Sequence, residues 1–237
     1  MKLKSLLLGI VLASAAVSSA STIVQTGNFS FVPNDSSAQT FNQFDTMGGT
    51  RVLNSVYVTV SFTKSGGSYS VDNESHSSAT VTLTHTVTGS LDAGDLDLST
   101  SSGYFGIPTS VLKATSTVSG VVLGADDGDS PTNMDNSGPD YYRFDPGDVT
   151  KSTSGYITDI AQFEGNSDYV MTFSADQTVN ISGVSGASQA FSPSQVNGYI
   201  SVTYDYTSLS PVPEPSSYVG IGIAAIVLCG FRHRARI

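Results

Sequence analysis

The chain has 237 residues, of which 39% are hydrophobic and 13% are charged. Its 20 acidic residues outnumber its 10 basic residues, and the resulting net charge of −10 argues against a nucleic-acid partner because such a surface repels phosphate groups. The only cysteine, Cys229, lies near the C-terminus, which excludes a disulfide framework and a zinc site built on thiolates.

The first 20 residues are organised like a secretory signal peptide. Lys2 and Lys4 precede an apolar run over residues 6–17, and small residues lead up to Ala20. An uncleaved membrane helix is the alternative, but the run is roughly 12 residues long and a span needs about 20. We therefore expect export of the chain and cleavage between Ala20 and Ser21.

Residues 21–210 are enough for one extracellular domain with its own hydrophobic core. Period-two alternation of apolar and polar side chains is clear over residues 56–63, 80–88 and 200–207 and indicates half-buried antiparallel strands. Weaker candidate strands are residues 23–31, 40–44, 111–122, 168–173 and 178–184. Gly-rich turns separate these segments, so we predict an all-β, antiparallel β-sandwich of the jelly-roll or Ig-like kind, with a closed barrel as the alternative.

An aspartate-rich region over residues 124–149 is the least strand-like part of this domain and is predicted to be a long loop. Calcium prefers six to eight oxygen ligands from flexible loops, and this region offers several carboxylates. The candidate ligands are Asp126, Asp127, Asp129, Asp135 and Asp140. Their spacing does not match an EF-hand, and the alternative is a solvated acidic loop that keeps the protein soluble.

Catalytic signals are weak, and we predict that the protein is not an enzyme. His76 lies in a polar turn, His85 lies on the apolar side of a strand, and no Gly-x-Ser-x-Gly elbow is present. A glycoside hydrolase is a further alternative, and Glu164, next to Phe163, is the acid that we single out for it. A carbohydrate-binding module is a further alternative, based on Tyr104, Phe105, Tyr141, Tyr142 and Phe144.

The last 27 residues, 211–237, have three successive parts. A proline-rich motif, Val212-Pro213-Glu214-Pro215, is followed by an apolar run over residues 218–231. The chain then ends with three arginines, Arg232, Arg234 and Arg236. Fourteen residues at about 1.5 Å each give a helix of roughly 21 Å, short of the bilayer core but flanked by arginines that can extend to the interface. We predict a transmembrane helix with the arginines on the cytoplasmic side and the body outside.

This tail resembles a PEP-CTERM sorting signal, which has the same three parts in the same order. The resemblance implies that an exosortase-type enzyme of a Gram-negative bacterium processes the chain near the motif. It also implies an intermediate anchored in the inner membrane, later placement at the cell surface or outside the cell, and a link to exopolysaccharide or biofilm.

The start of the body is similar to choice-of-anchor E domains, which are extracellular bacterial domains with varied C-terminal anchors. The similarity lies in residues 22–26 (Thr-Ile-Val-Gln-Thr) and 40–45 (Thr-Phe-Asn-Gln-Phe-Asp), followed by a Val-rich strand. It covers mainly the first third of the body. It implies a surface location without implying an activity.

Overall fold

The computed structural model of the chain describes residues 19–101, 103–104, 112–128 and 137–209. These residues are almost entirely in strands, and the helical parts among them are two single turns, Met47–Gly49 and Ala161–Phe163. The strands in chain order are β1 (Ser19–Phe31), β2 (Asp35–Asn42), β3 (Arg51–Ser65), β4 (Ser68–Asn73), β5 (Ala79–Asp92), β6 (Ser99–Thr100), β7 (Gly103–Tyr104), β8 (Leu112–Leu123), β9 (Tyr141–Phe144), β10 (Val149–Tyr156), β11 (Asp168–Ser182), β12 (Ala187–Ser192) and β13 (Gln195–Ser208).

Two open, four-stranded antiparallel sheets form the body, which confirms the predicted all-β class. The first sheet has the order β1-β13-β3-β10, and the second has the order β2-β11-β5-β8. A smaller sheet, β12-β4-β9, is built from shorter strands, and β6 pairs with β7. The edge strands are β1 and β10 in the first sheet and β2 and β8 in the second, and no strand pairing among the described residues joins the two sheets into a closed barrel.

The eight long strands pair in a nested order. The first of them, β1, pairs with the last, β13, and β2 pairs with β11. Further inside the chain, β3 pairs with β10, and β5 pairs with β8. The chain is therefore a long hairpin that folds back on itself, and most of its strand contacts join residues far apart in sequence.

The main core lies between the two four-stranded sheets. In β3, Val56, Val58, Val60 and Phe62 are each at most 2% exposed, so the alternation of that segment identified the inward face correctly. Phe173 of β11 stacks on Phe29 with ring centroids 4.5 Å apart. It also contacts Phe62, with centroids 5.4 Å apart. A separate cluster, which includes Tyr69 of β4 and Leu83 of β5, packs beneath the smaller sheet.

A hydrogen bond between buried Tyr204 and partly buried Tyr169 joins the two sheets. The hydroxyl groups of Tyr169 in β11 and Tyr204 in β13 are 2.6 Å apart, and the Tyr204 hydroxyl also donates to the carbonyl of Asn42. Burial raises the pKa of Tyr204 to about 12, and burial also raises the pKa of Tyr169. Both hydroxyls therefore stay protonated at physiological pH, and the contact between the sheets does not depend on a charge.

The three strongest strand predictions are confirmed within β3, β5 and β13. The division of residues 168–184 into two strands is wrong, because β11 is continuous over Asp168–Ser182. The acid-rich region is not a loop throughout, since β9 forms within it and pairs with β4. Strands β4, β9, β10 and β12 had no clear sequence signal, because each is short and polar or lacks strict alternation.

Replacing Phe173 by alanine should destabilise the fold by about 3–5 kcal/mol, because the ring is fully buried among aromatic neighbours. The matched control is Phe191→Ala in β12, where the ring is 65% exposed, and it should change the free energy of unfolding by no more than about 0.5 kcal/mol. Urea denaturation followed by circular dichroism measures both values. Equal losses for the two variants would contradict the assigned core.

Candidate functional site

The acidic site lies where the end of β8 meets the loop between β4 and β5. The backbone N–H of Asp126 donates to the carbonyl of Ser75 over 2.9 Å, and Gly124 N–H donates to the carbonyl of Pro139 over 2.7 Å. Asn73 N–H donates to the carbonyl of Asp140 over 3.1 Å. These bonds hold two separate segments of the acid-rich region against the end of β4.

This scaffold brings together Asp126, Asp127 and Asp140, three of the five predicted calcium ligands. One carboxylate oxygen of each lies within 4.8 Å of the other two, and no other such group of His, Cys, Asp or Glu occurs in the described parts of the chain. Asp140 is 1% exposed, and its Oδ2 accepts a hydrogen bond from the backbone N–H of Asp127 over 2.9 Å. The remaining two predicted ligands, Asp129 and Asp135, lie outside the described residues.

The backbone at Gly138 fits closely around these carboxylates. Gly138 has a φ of 95°, and a Cβ there would lie 2.6 Å from Oδ2 of Asp127 and from Oδ1 of Asp140. A side chain at this position would push the two carboxylates apart. Three acidic groups at this spacing repel one another unless a cation or hydrogen bonds offset the repulsion, and hard oxygens in loops suit calcium.

A second polar cluster lies inside the sandwich and was not predicted. Lys64 of β3 is fully buried, and its Nζ lies 3.2 Å from Nδ1 of His85 in β5 and 2.9 Å from Oγ of Ser116 in β8. Because an ammonium group only donates, a charged Lys64 makes Nδ1 of His85 an acceptor and places the imidazole proton on Nε2. Position 64 lies on the inward face by the period-two pattern of β3, and this pattern could have identified Lys64 as a buried residue.

The surroundings oppose positive charge on both basic groups. Burial lowers the pKa of His85, and the neighbouring Lys64 lowers it further, while contact with the Gln177 side chain opposes these effects. Burial likewise lowers the pKa of Lys64, and the negative charge of Asp148 opposes this. Both groups that contact the His85 ring are side chains: Lys64 belongs to the facing sheet, and Gln177 belongs to the same sheet as His85.

The other candidate residues occupy ordinary structural positions. Glu164 is exposed although Phe163 beside it is buried, so Glu164 lacks the apolar pocket that a glycosidase acid needs. Tyr142 and Phe144 of β9 pack against the cluster beneath the smaller sheet instead of forming an open platform. His76 is 97% exposed, and its Nδ1 lies 3.9 Å from Asp126.

One of the two predicted processing sites lies within the described residues, and the other lies outside them. Ala20 and Ser21 belong to β1, where they pair with Thr207 and Tyr206 of β13. The sorting motif and the terminal arginines lie outside the described residues. Among the residues that the structure does describe, no helix has the length and apolar character needed to cross a membrane.

Comparisons with known proteins identify no family. No family model and no curated protein matches the chain. A solved structure of a mud crab tombus-like virus is 11% identical over 93% of this chain and 94% of its own, with a TM-score of 0.22. Infectious bursal disease virus, Gx strain, is 12% identical over 97% of this chain and 54% of its own, with a TM-score of 0.16. Similarities at this level support no conclusion about fold or function.

Calcium should raise the melting temperature of the protein if the three carboxylates form a metal site. A ligand at one hundred times its dissociation constant stabilises the folded state by about 2.7 kcal/mol. Thermal melts with calcium and with EDTA measure this shift, and Asp126→Asn should reduce it. The control is Asp176→Asn, an exposed acid on β11. No calcium-dependent shift in the unmodified protein would leave a solvated acidic loop as the interpretation.

Acid should destabilise the protein through His85. Because the folded-state pKa of His85 is lowered, its contribution to stability is complete above the unfolded pKa near 6.5 and is lost as the pH falls below it. One such group contributes a slope of up to about 1.4 kcal/mol per pH unit. Denaturation between pH 8 and 5 should show a smaller slope for the His85→Gln variant than for the unmodified protein. An unchanged slope in His85→Gln would contradict this assignment.

Proposed function

We propose that the protein is an exported, non-enzymatic structural protein of a Gram-negative cell envelope or extracellular matrix. A signal peptide over residues 1–20 directs its export, and a transmembrane helix over residues 218–231 holds it in the inner membrane. An exosortase-type enzyme then recognises the Val212-Pro213-Glu214-Pro215 motif and transfers the body to the cell surface or outside the cell. The expected association is with exopolysaccharide.

The observation that carries this proposal is the pairing of the two ends of the body. Ser19 of β1 pairs with Ser208 of β13, so the segments before and after the described fold are attached side by side at one end of the first sheet. Cleavage after Ala20 removes only the first two residues of β1 and leaves residues 21–31 to pair with β13. Both the signal peptide and the C-terminal tail can therefore be removed without loss of a strand.

The end of the body is also firmly attached before the tail begins. β13 is an inner strand held between β1 and β3, and the backbone N–H of Leu209 donates to the carbonyl of Thr50 over 2.8 Å. Pro211, Pro213 and Pro215 follow in the sequence, and proline is a residue that disfavours helix. A processing enzyme would thus find its motif beyond the last strand, in a segment whose cutting leaves the sheets intact.

We further infer that the sandwich is of the jelly-roll rather than the Ig-like kind. The nested pairing of eight long strands supports this assignment, since a jelly roll is a long antiparallel hairpin wound into two four-stranded sheets. The absence of any disulfide-forming pair of cysteines is consistent with both kinds.

The non-enzymatic part of the proposal is supported by the surroundings of His85. The ring is 2% exposed and faces the buried amine of Lys64 rather than a carboxylate. A general base must reach a substrate and is usually oriented by an acceptor, and His85 meets neither condition. A glycoside hydrolase is also unsupported, because Glu164 is exposed.

The C-terminal mass of the mature protein from its native host tests the proposal. A chain that ends between Pro213 and Ser216 is the expected result, and Glu214→Ala should abolish this processing. Pro211→Ala, a change just outside the motif, is the matched control and should be processed normally. A mature chain that ends at Ile237 would instead identify a permanent membrane anchor, and recovery from the cytosol with Met1 present would contradict export.

A further inference from the structure

A depression of about 310 Å³ with a mixed polar and apolar lining lies between the main sandwich and the smaller sheet. Its described lining contains no charged side chain and consists of Asn34, Tyr69, Gln177, Val179, Gln189 and Phe191. The volume is at the lower limit of small-molecule sites, which are about 300–1,000 Å³. It is suited to one sugar-sized group rather than to a large cofactor.

The amide groups in this depression are oriented by bonds within the protein. Oε1 of Gln177 accepts from both N and Oγ of Ser194, over 3.1 and 3.0 Å. Oε1 of Gln189 accepts from the Tyr69 hydroxyl over 2.5 Å, and Oδ1 of Asn34 accepts from the backbone N–H of Gln177 over 3.1 Å. With the three oxygens engaged, the amide nitrogens are the groups left to donate to a ligand.

The exposed amides are the donors that a ligand can reach. The amide nitrogen of Gln177 is buried, and its side chain contacts His85, so a ligand cannot approach it. Asn34 and Gln189 are exposed and line the depression. Donors of this kind favour a ligand with acceptor oxygens.

An apolar surface completes the depression. The Phe191 ring is 65% exposed, and Val179 lies on the facing strand β11. Aromatic and aliphatic surface beside fixed amide donors matches the two sides of a sugar ring, whose C–H groups are apolar and whose oxygens accept hydrogen bonds. An anionic sugar is disfavoured because no cation lines the depression and the chain carries a net charge of −10.

The position of the depression agrees with an outward-facing binding site. Asn34 follows the C-terminal end of β1, whereas Ser19, beside the membrane tail, begins the same strand. Thirteen residues of strand at about 3.3 Å each separate these ends by roughly 40 Å. When the tail is in a membrane, the depression would lie at the far end of the first sheet, where polymers outside the cell can reach it.

We propose that this depression binds one neutral sugar unit of an extracellular polysaccharide. The exposed amide of Gln189 donates to its oxygen atoms, and Phe191 packs against its C–H face. The choice of an extracellular polysaccharide rests on the proposed function, while the neutral saccharide class rests on the described lining alone. This site differs from the aromatic platform predicted from the sequence, since Tyr142 and Phe144 are packed elsewhere.

Titration of the purified full chain with glucose, galactose, mannose and their tetrasaccharides tests the proposal by calorimetry and by chemical-shift changes. The detergent must be a polyoxyethylene type, because the head group of a maltoside is itself a sugar. We expect at least one neutral saccharide to bind and the corresponding uronic acids to bind about tenfold more weakly. Phe191→Ala and Gln189→Ala should each reduce the affinity about tenfold or more.

The matched control is Tyr156→Ala, which removes a 58% exposed aromatic ring from β10 and should leave the affinity unchanged. No binding by any member of the panel at about 20 mM would overturn the proposal, as would equal affinities of the Phe191→Ala variant and the unmodified protein. Stronger binding of the uronic acids would overturn the neutral class. These outcomes are independent of the C-terminal mass, so failure of sorting and failure of sugar binding can be distinguished.

Discussion

The pairing of the first strand with the last one is the contact on which the rest of the structure depends. β1 and β13 are joined along their whole length, from Ser19 with Ser208 to Phe31 with Val196. Closing so long a chain segment costs conformational entropy before any contact compensates for it. With no disulfide available, the buried aromatic and aliphatic core between the sheets must supply that compensation. The same pairing puts both ends of the body at one end of the sheet.

Polar contacts between the sheets complement this pairing. Tyr169 and Tyr204 meet near the end that carries the termini, and Lys64 reaches His85 and Ser116 toward the opposite end. A sheet that slipped on its neighbour would leave these buried groups without partners, and such groups are costly. The polar contacts therefore fix the position of one sheet relative to the other. Apolar packing alone would fix this position less strictly, because it is not directional. The depression that contains Gln177 adjoins the second of these contacts, because Gln177 also contacts His85.

Strands were predicted correctly where apolar and polar residues alternate strictly, and they were missed where this alternation is weak. Residues 56–63 were assigned correctly because one face of β3 is entirely buried, so every second residue had to be apolar. β9 and β12 were missed because the short strands of the smaller sheet carry little continuous apolar pattern. The local density of aspartates indicated Asp126, Asp127 and Asp140 as candidate ligands, and the structure brings these three together. Their proximity depends on the hydrogen bonds that hold the loop to β4.

The sequence by itself determined the class of the fold and the inward face of the long strands. These properties follow from local patterns of polarity, which can be recognised over a few neighbouring residues. Only the tertiary structure decided which strands pair, why a lysine can lie in the core, and where amide groups converge on a depression. Those features join residues that are distant in sequence, from 21 positions for Lys64 and His85 to 143 positions for Asn34 and Gln177, and no local pattern specifies such contacts.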